Sequence, residues 1–144
     1  MEVESQSSLL SFRLGKQLYC LPIAHVVEVA AMISTDALPD APPALLGVAN
    51  RHGEILPMLD LRVAFKTELS PITSSTLFIV AEYHGQMLGL LVDEIQQVLY
   101  VSPKALKPAG TSSRFMSHLL NYENKLYQQI DVKALLAAYI ANIV

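Results

Sequence analysis

The sequence has few of the features that would place a protein in a membrane or outside the cell. It contains one cysteine, Cys20, so an internal disulfide is impossible. No uncharged apolar run approaches the ~20 residues that a membrane-spanning helix needs. The first five residues, MEVES, are acidic where a secretory signal would be basic. We therefore expect a cytoplasmic protein in which Cys20 is a packed thiol.

Charged residues are also scarce, at 16% of a chain that is 52% hydrophobic. The net charge is −3, and no cluster of Lys and Arg is present to neutralise a phosphate backbone. This argues against a nucleic-acid partner. A length of 144 residues suits one domain with a substantial core. Because many apolar side chains must remain on the surface of such a domain, a protein partner is the expected one.

Signatures of catalysis and cofactor binding are missing from the sequence. It has no P-loop, no dinucleotide glycine fingerprint and no G-x-S-x-G elbow. The four histidines lack the short paired spacing of metal sites. Asp60 and Asp93 could be imagined as a catalytic carboxylate pair, but each precedes a helix-compatible segment, so helix capping is favoured. We predict no enzyme activity, no cofactor and no metal.

The clearest structural signal is the stretch of residues 47–62, GVANRHGEILPMLDLR. Residues 48–52 form an extended run, Gly53 can turn the chain with φ > 0, and apolar residues then return in alternation. Asp60 precedes residues with helical apolar spacing, so its carboxylate is expected to accept from the free N–H groups of a short helix. The stretch predicts a strand, a turn, a second strand and a capped helix.

Three further hairpins and a final helix follow from the same patterns. Strands are predicted over 9–14 and 18–23, over 77–81 and 87–92, and over 119–122 and 126–130. Helical spacing from Val132 to Ile143 predicts a C-terminal helix. Residues 36–43, DALPDAPP, hold three of the eight prolines and must form a loop.

The two halves of the chain resemble each other. The stretch that begins at Gln17 aligns with the one that begins at Gln86, an offset of 69 residues (86 − 17). The hairpin has its own counterpart at an offset of 71 residues (131 − 60), which pairs Asn50, Gly53, Leu59, Asp60 and Arg62 with Asn121, Asn124, Ile130, Asp131 and Lys133. We infer a duplication that gives two small β-barrels side by side. The expected division is a polar tail to residue 8, a first barrel at about 9–70, a second at about 76–130 and a helix at about 131–143, with strand exchange between barrels left open.

These motifs resemble those of the CheW-like family, the scaffold proteins of bacterial chemoreceptor arrays. The first signature of that family, G-V-x-N-x-R-G-x-I-x-P-x-x-D-L-R, is met by Gly47, Val48, Asn50, Gly53, Ile55, Pro57, Asp60, Leu61 and Arg62. A second, G-x-x-x-G-x-x-V-D-x-I-x-x-V, is met by Gly85, Gly89, Val92, Asp93, Ile95 and Val98. The resemblance covers about residues 9–139. It implies a mainly β fold of two five-stranded SH3-like barrels with short helices and a C-terminal helix.

The resemblance also implies a function. The chain would be a stand-alone, non-catalytic adaptor that couples the cytoplasmic tips of methyl-accepting chemoreceptors to the regulatory domain of a CheA-type histidine kinase. The matched receptor-groove positions are Val26, Gly47, Gly89, Ile95 and Val98. The matched kinase-side positions are Glu28, Asn50, His52 and Arg62. Two alternatives stay open: interior packing for Val26, Ile95 and Val98, and a bend or bulge for Gly47.

One departure from the family pattern bears on the kinase side. The family places Arg immediately before the hairpin glycine, whereas this chain has His52 there and Arg51 one residue earlier. Strand alternation would turn Arg51 to the opposite face, so we hypothesise that Glu28 pairs with His52 when the imidazole is protonated. An exposed turn histidine without a partner is the alternative.

Two rival functions also stay open. The chain could be a small-ligand or peptide sensor that binds an anion through Arg51, His52 and Arg62. It could instead be a diverged scaffold that serves a motility pathway or another kinase pathway.

Overall fold

The computed structural model describes residues 6–110 and 113–141. The first part of the chain forms β1 (Ser7–Leu14), β2 (Gln17–Pro22), a 3-10 turn (Ile23–His25), β3 (Val26–Ala31), β4 (Leu45–Arg51), β5 (Glu54–Asp60) and α1 (Leu61–Ala64). The second part forms β6 (Leu77–Tyr83), β7 (Gln86–Val92), β8 (Glu94–Val101), a 3-10 turn (Pro103–Ala105), β9 (Leu106–Pro108), β10 (Met116–Tyr122), β11 (Lys125–Ile130) and α2 (Val132–Tyr139). The mainly β prediction and all four hairpins are confirmed. None of the helices in the described ranges is long and apolar enough to cross a membrane.

The strands form two sheets. One, here called sheet A, has the order β8-β1-β2-β11-β10-β9, and the other, sheet B, has the order β3-β6-β7-β5-β4. Neighbouring strands are antiparallel except in two places, where β11 lies parallel to β2 and β5 lies parallel to β7. Sheet A thus has six strands where five were expected.

The two halves of the chain exchange a hairpin. The hairpin β1-β2 comes from the first half but joins strands of the second half in sheet A, while β6-β7 joins strands of the first half in sheet B. The barrels therefore do not follow the sequential boundaries 9–70 and 76–130, and the exchange that the sequence left open is how the sheets are built. The physical reason is that β11 and β5 each find a parallel partner in the other half.

Three apolar clusters hold this arrangement together. The largest lies between the sheets and includes Phe12, Leu59, Leu90 and Leu135. Each sheet also has a cluster of its own on its other face, around Cys20 and Tyr127 in sheet A and around Met58 and Phe78 in sheet B. Cys20 is fully buried, and burial raises the pKa of its thiol to about 12, so the prediction of a packed thiol is confirmed.

Two predicted features need correction. Helix α2 ends at Tyr139, with Ile140 as its C-cap, and residues 142–144 lie outside the described part. Asp93 does not cap a helix, because the chain continues directly into β8. Its carboxylate accepts instead from the Gly15 N–H at 2.6 Å. Asp60 and Asp131 do cap α1 and α2, accepting from the backbone N–H groups of Arg62 and Ala134.

Candidate partner-binding site

The tip of the β4-β5 hairpin is a two-residue turn. His52 and Gly53 both have positive φ, at 50° and 83°, as a type I′ hairpin requires. The Asn50 side-chain oxygen accepts from the Gly53 N–H at 2.9 Å and supports this turn. The strand therefore ends at Arg51, and His52 lies in the turn, where strand alternation does not apply.

Arg51, and not His52, is the partner of Glu28. Its Nε donates to Glu28 Oε1 at 2.8 Å, and its side chain is only 14% exposed. The hydrogen bond from Arg51 is the main reason that the pKa of the Glu28 carboxyl is lowered, and His52 adds only a weaker electrostatic effect. The hypothesis of a Glu28–His52 pair is thus wrong. Since β3 and β4 are the two edges of sheet B, the ion pair joins the edges of that sheet at one end.

Arg62 lies in the interior and is not available to a partner. Its side chain is 2% exposed and makes two contacts with Asp60, Nε to Oδ1 at 3.0 Å and Nη2 to Oδ2 at 3.1 Å. Its Nη1 also donates to the Ser70 carbonyl and lies 3.3 Å from Asp93 Oδ1. Asp60 raises the pKa of Arg62. The placement of Arg62 on the kinase side is therefore corrected to a structural hub between α1, the following loop and the end of β7.

The two glycines of the predicted receptor groove are buried within sheet B. A side chain on Gly47, where φ is 140°, would collide with the backbone of Asp36. A Cβ on Gly89 would lie 2.5 Å from Met58 Sδ. Gly47 and Gly89 flank Met58 in one row across the sheet. Both positions need glycine for close packing, so they do not line an open groove.

The other three groove residues differ in exposure. Val26 and Ile95 are half-buried against the central cluster, and Val98 is 38% exposed on β8. Beside Val98 on the same strand face, Tyr100 is 60% exposed. On the equivalent strand β3, Val27 and Val29 are 42% and 40% exposed.

Sequence reasoning missed two exposed apolar residues at the hairpin tips. Ile55 follows the β4-β5 turn with 77% of its surface exposed, and Leu126 follows the β10-β11 turn with 59% exposed. They are equivalent positions of the duplication, since 126 − 55 is again 71. Their shared placement one residue into the returning strand was a readable signal, because an apolar side chain beside a tight turn has little to pack against.

Fold and surface thus define a double-barrel β protein with apolar residues exposed on edge strands and hairpin tips. The model of the CheW-like domain family matches residues 8–139. The chain is 28% identical over 137 residues to a probable chemotaxis protein CheW of Rhizobium etli, covering 92% of this chain and 88% of that protein. It is 36% identical over 93 residues to the protein PilI of Pseudomonas aeruginosa, covering 65% and 52% of the two chains.

A solved structure agrees with these relatives. The scaffolding protein TtCheW from Thermoanaerobacter tengcongensis superposes with a TM-score of 0.81 at 26% identity, covering 88% of this chain and 89% of that one. The chain therefore belongs to the CheW-like domain family and is a non-catalytic chemotaxis adaptor.

Proposed function

We propose that this adaptor couples chemoreceptors to a CheA-type histidine kinase at the cytoplasmic side of a receptor array. The observation that carries the proposal is the distribution of exposed apolar residues. Several of them lie in separate places, on the edge strands β3 and β8 and at two hairpin tips, and Leu69 and Ile72 add exposed apolar surface in the loop after α1. A coupler needs at least two surfaces that can be occupied at the same time, and exposed apolar patches are typical of such surfaces.

The kinase side of the proposal rests on the tip of the β4-β5 hairpin. Ile55 offers an apolar anchor, and Arg51 with Glu28 forms a charged rim in the same sheet. Anchors surrounded by polar rims are the usual anatomy of a protein interface. Asn50 and His52 contribute through the shape of the turn and its exposed surface.

The receptor side of the proposal rests on β8 and β3. Val98 and Tyr100 present an apolar strand face that an amphipathic helix could cover, while Val26 and Ile95 are half-buried against the central cluster. Gly47 and Gly89 act indirectly, by allowing sheet B to pack closely. Filling the groove with a large residue at position 47 is for this reason not a clean test, because the fold itself would suffer.

The kinase surface is tested with one pair of equivalent substitutions. Ile55→Glu should weaken binding to the regulatory domain of the CheA-type kinase from the same genome by about tenfold or more, since it puts a charge on the anchor. Leu126→Glu is the matched control, and it should bind as the wild type does. Calorimetry measures both. Equal loss in the two variants, or no binding by the wild type, would contradict the assignment.

The receptor surface is tested in the same way. Val98→Glu should abolish recruitment of the chain to receptor-containing membranes, while binding to the kinase domain persists. If the wild-type chain captured a histidine kinase that does not work with chemoreceptors, the alternative of a scaffold for another pathway would be supported instead.

The anion sensor is not supported by the site. Of the three side chains it requires, Arg62 is buried with Asp60 and Asp93, and Arg51 is paired with Glu28. The remaining His52 lies exposed in a turn. An anionic ligand would have to compete with carboxylates that are already in place.

A further inference from the structure

Equivalent rows of residues cross the two sheets with different chemistry. In sheet B the row is Glu28, Val80, Gly89, Met58 and Gly47. In sheet A, at offsets of 69 and 71, the row is Gln97, Ser11, Cys20, Gln129 and His118. Apart from Glu28 at its edge, the row in sheet B is thus apolar, whereas the row in sheet A is mostly polar.

The central pair of each row shows what this difference does. In sheet B, Met58 packs over Gly89, whose missing side chain makes room for it. In sheet A, Gln129 stands at the place of Met58 and Cys20 at the place of Gly89. The glycine that makes room for Met58 thus has no counterpart beside Gln129.

Gln129 carries an unsatisfied polar atom. Its Oε1 is shielded from solvent, and among the described residues it has no hydrogen-bond partner. Buried acceptors in native proteins are nearly always paired, so an unpaired one suggests that something outside the chain donates to it.

Gln129 is one of the residues that line a cleft. It has a volume of about 530 Å³ and is bounded by the starts of β1 and β9, the end of β2 and Gln129. Leu9, Pro22, Ile23 and Leu106 give it apolar walls. Of the described residues that line it, none carries a charge. Clefts of this size and lining are typical of small-molecule sites.

We propose that this cleft binds a small, neutral, mainly apolar molecule that donates one N–H or O–H hydrogen bond to Gln129 Oε1. A carboxylate or an ammonium group would lose its hydration there without gaining a partner of opposite charge. The residues that line the cleft do not include the hairpin-tip residues or Val98, although Ser8 pairs with Tyr100 on β8.

Indole and 1-methylindole are the probes for this proposal, since a methyl group replaces the N–H donor in the second. Titrated into the full chain and followed by amide NMR, indole should shift the signals of Ala24, Leu106 and Gln129 saturably. It should bind about tenfold more tightly than 1-methylindole, the usual effect of one hydrogen bond. Absence of saturable shifts, or equal affinity for the two probes, would overturn the proposal.

Substitutions distinguish binding at this site from nonspecific apolar binding. Gln129→Met installs the residue of the equivalent position 58 and should abolish the preference for indole. Gln128→Met is the matched control, because Gln128 bonds Gln17 at an exposed position, and it should keep the preference. A preference that survives Gln129→Met, or a tighter complex with an acceptor-only probe such as acetophenone, counts against the assigned acceptor.

Discussion

The two hairpin-and-helix units of the duplication have the same backbone plan. In each, a tight turn with two positive φ values joins two strands, and an aspartate at the end of the second strand caps a short helix. Asp60 and Asp131 are the two caps. Their agreement shows that the duplication preserved the positions where backbone geometry demands a particular side chain.

The side chains that follow the two caps differ. Arg62 is buried and bonds Asp60, Asp93 and Ser70, whereas Lys133, its equivalent, is exposed. The position that corresponds to Asp93 in the first half is occupied by Ala24 (93 − 69). The first unit is therefore held to neighbouring segments by a buried ionic network, whereas the second unit has an exposed lysine and an alanine at the equivalent positions.

The largest effect should come from breaking the buried network. Arg62→Leu leaves the carboxylate of Asp60 buried without its cation, which typically costs about 3–5 kcal/mol of unfolding free energy. Lys133→Leu, at the equivalent exposed site, should change stability by less than about 0.5 kcal/mol. Urea unfolding of both variants measures the contrast. Similar losses of unfolding free energy in the two variants would show that the buried network does not account for a difference between the two units.

The next largest effect should come from Gly47. Gly47→Ala places a methyl group against the backbone of Asp36, which cannot move aside as a flexible side chain could, so a loss of about 1–3 kcal/mol is expected. His118 occupies the equivalent position in sheet A, and His118→Ala should cost less than Gly47→Ala. Thermal unfolding compares them. If Gly47→Ala proved neutral, the close approach to Asp36 would not constrain the fold.

Local features of the fold were predictable from the sequence because they depend on neighbouring residues. Turn glycines, strand alternation and the capping role of Asp60 are of this kind, and they gave the hairpins nearly to the residue. The family motif added the barrel type. The exchange of hairpins between barrels could not be predicted, because it depends on parallel pairing between residues such as Met58 and Gly89, which are far apart in sequence.

The site was less predictable than the fold. Arg51 was assigned to the wrong face because the turn was taken to begin one residue later than it does. Arg62 matched the family motif, but a motif does not show whether a side chain contacts a partner or holds segments of its own fold together. Burial decides that, and burial follows from the positions of Asp93 and Ser70 in other segments.

A smaller, pH-dependent effect is expected at the Glu28–Arg51 pair of sheet B. Because Arg51 lowers the pKa of Glu28, their pair stabilises the fold above the ordinary carboxyl range. This contribution is lost as the pH falls through the lowered pKa of folded Glu28. Wild type should therefore be more stable than Arg51→Met near pH ~7, and the difference should shrink towards pH ~3.

His52→Ala is the control for the pH experiment. It removes the imidazole that was expected to pair with Glu28 but leaves Arg51 in place, so its stability profile should follow that of the wild type. Unfolding free energies measured across the pH range decide the matter. A pH-dependent gap for His52→Ala, with none for Arg51→Met, would restore the histidine as the partner.

The smallest effect on stability is expected at the turns of the β4-β5 and β10-β11 hairpins, and it should differ between them. Asn50 accepts from the Gly53 N–H, and in the other unit Asn124 replaces the glycine, with a φ of 63° that asparagine tolerates. Asn50→Ala removes one exposed hydrogen bond and should cost about 0.5 kcal/mol. Asn121→Ala is the equivalent change. It should cost less unfolding free energy, because the asparagine at position 124 itself tolerates the positive φ of the turn. Amide exchange at Gly53 and Asn124 reports each turn directly. Faster exchange at Asn124 than at Gly53 in the respective variants would reverse this order and show that the second hairpin depends more on its asparagine.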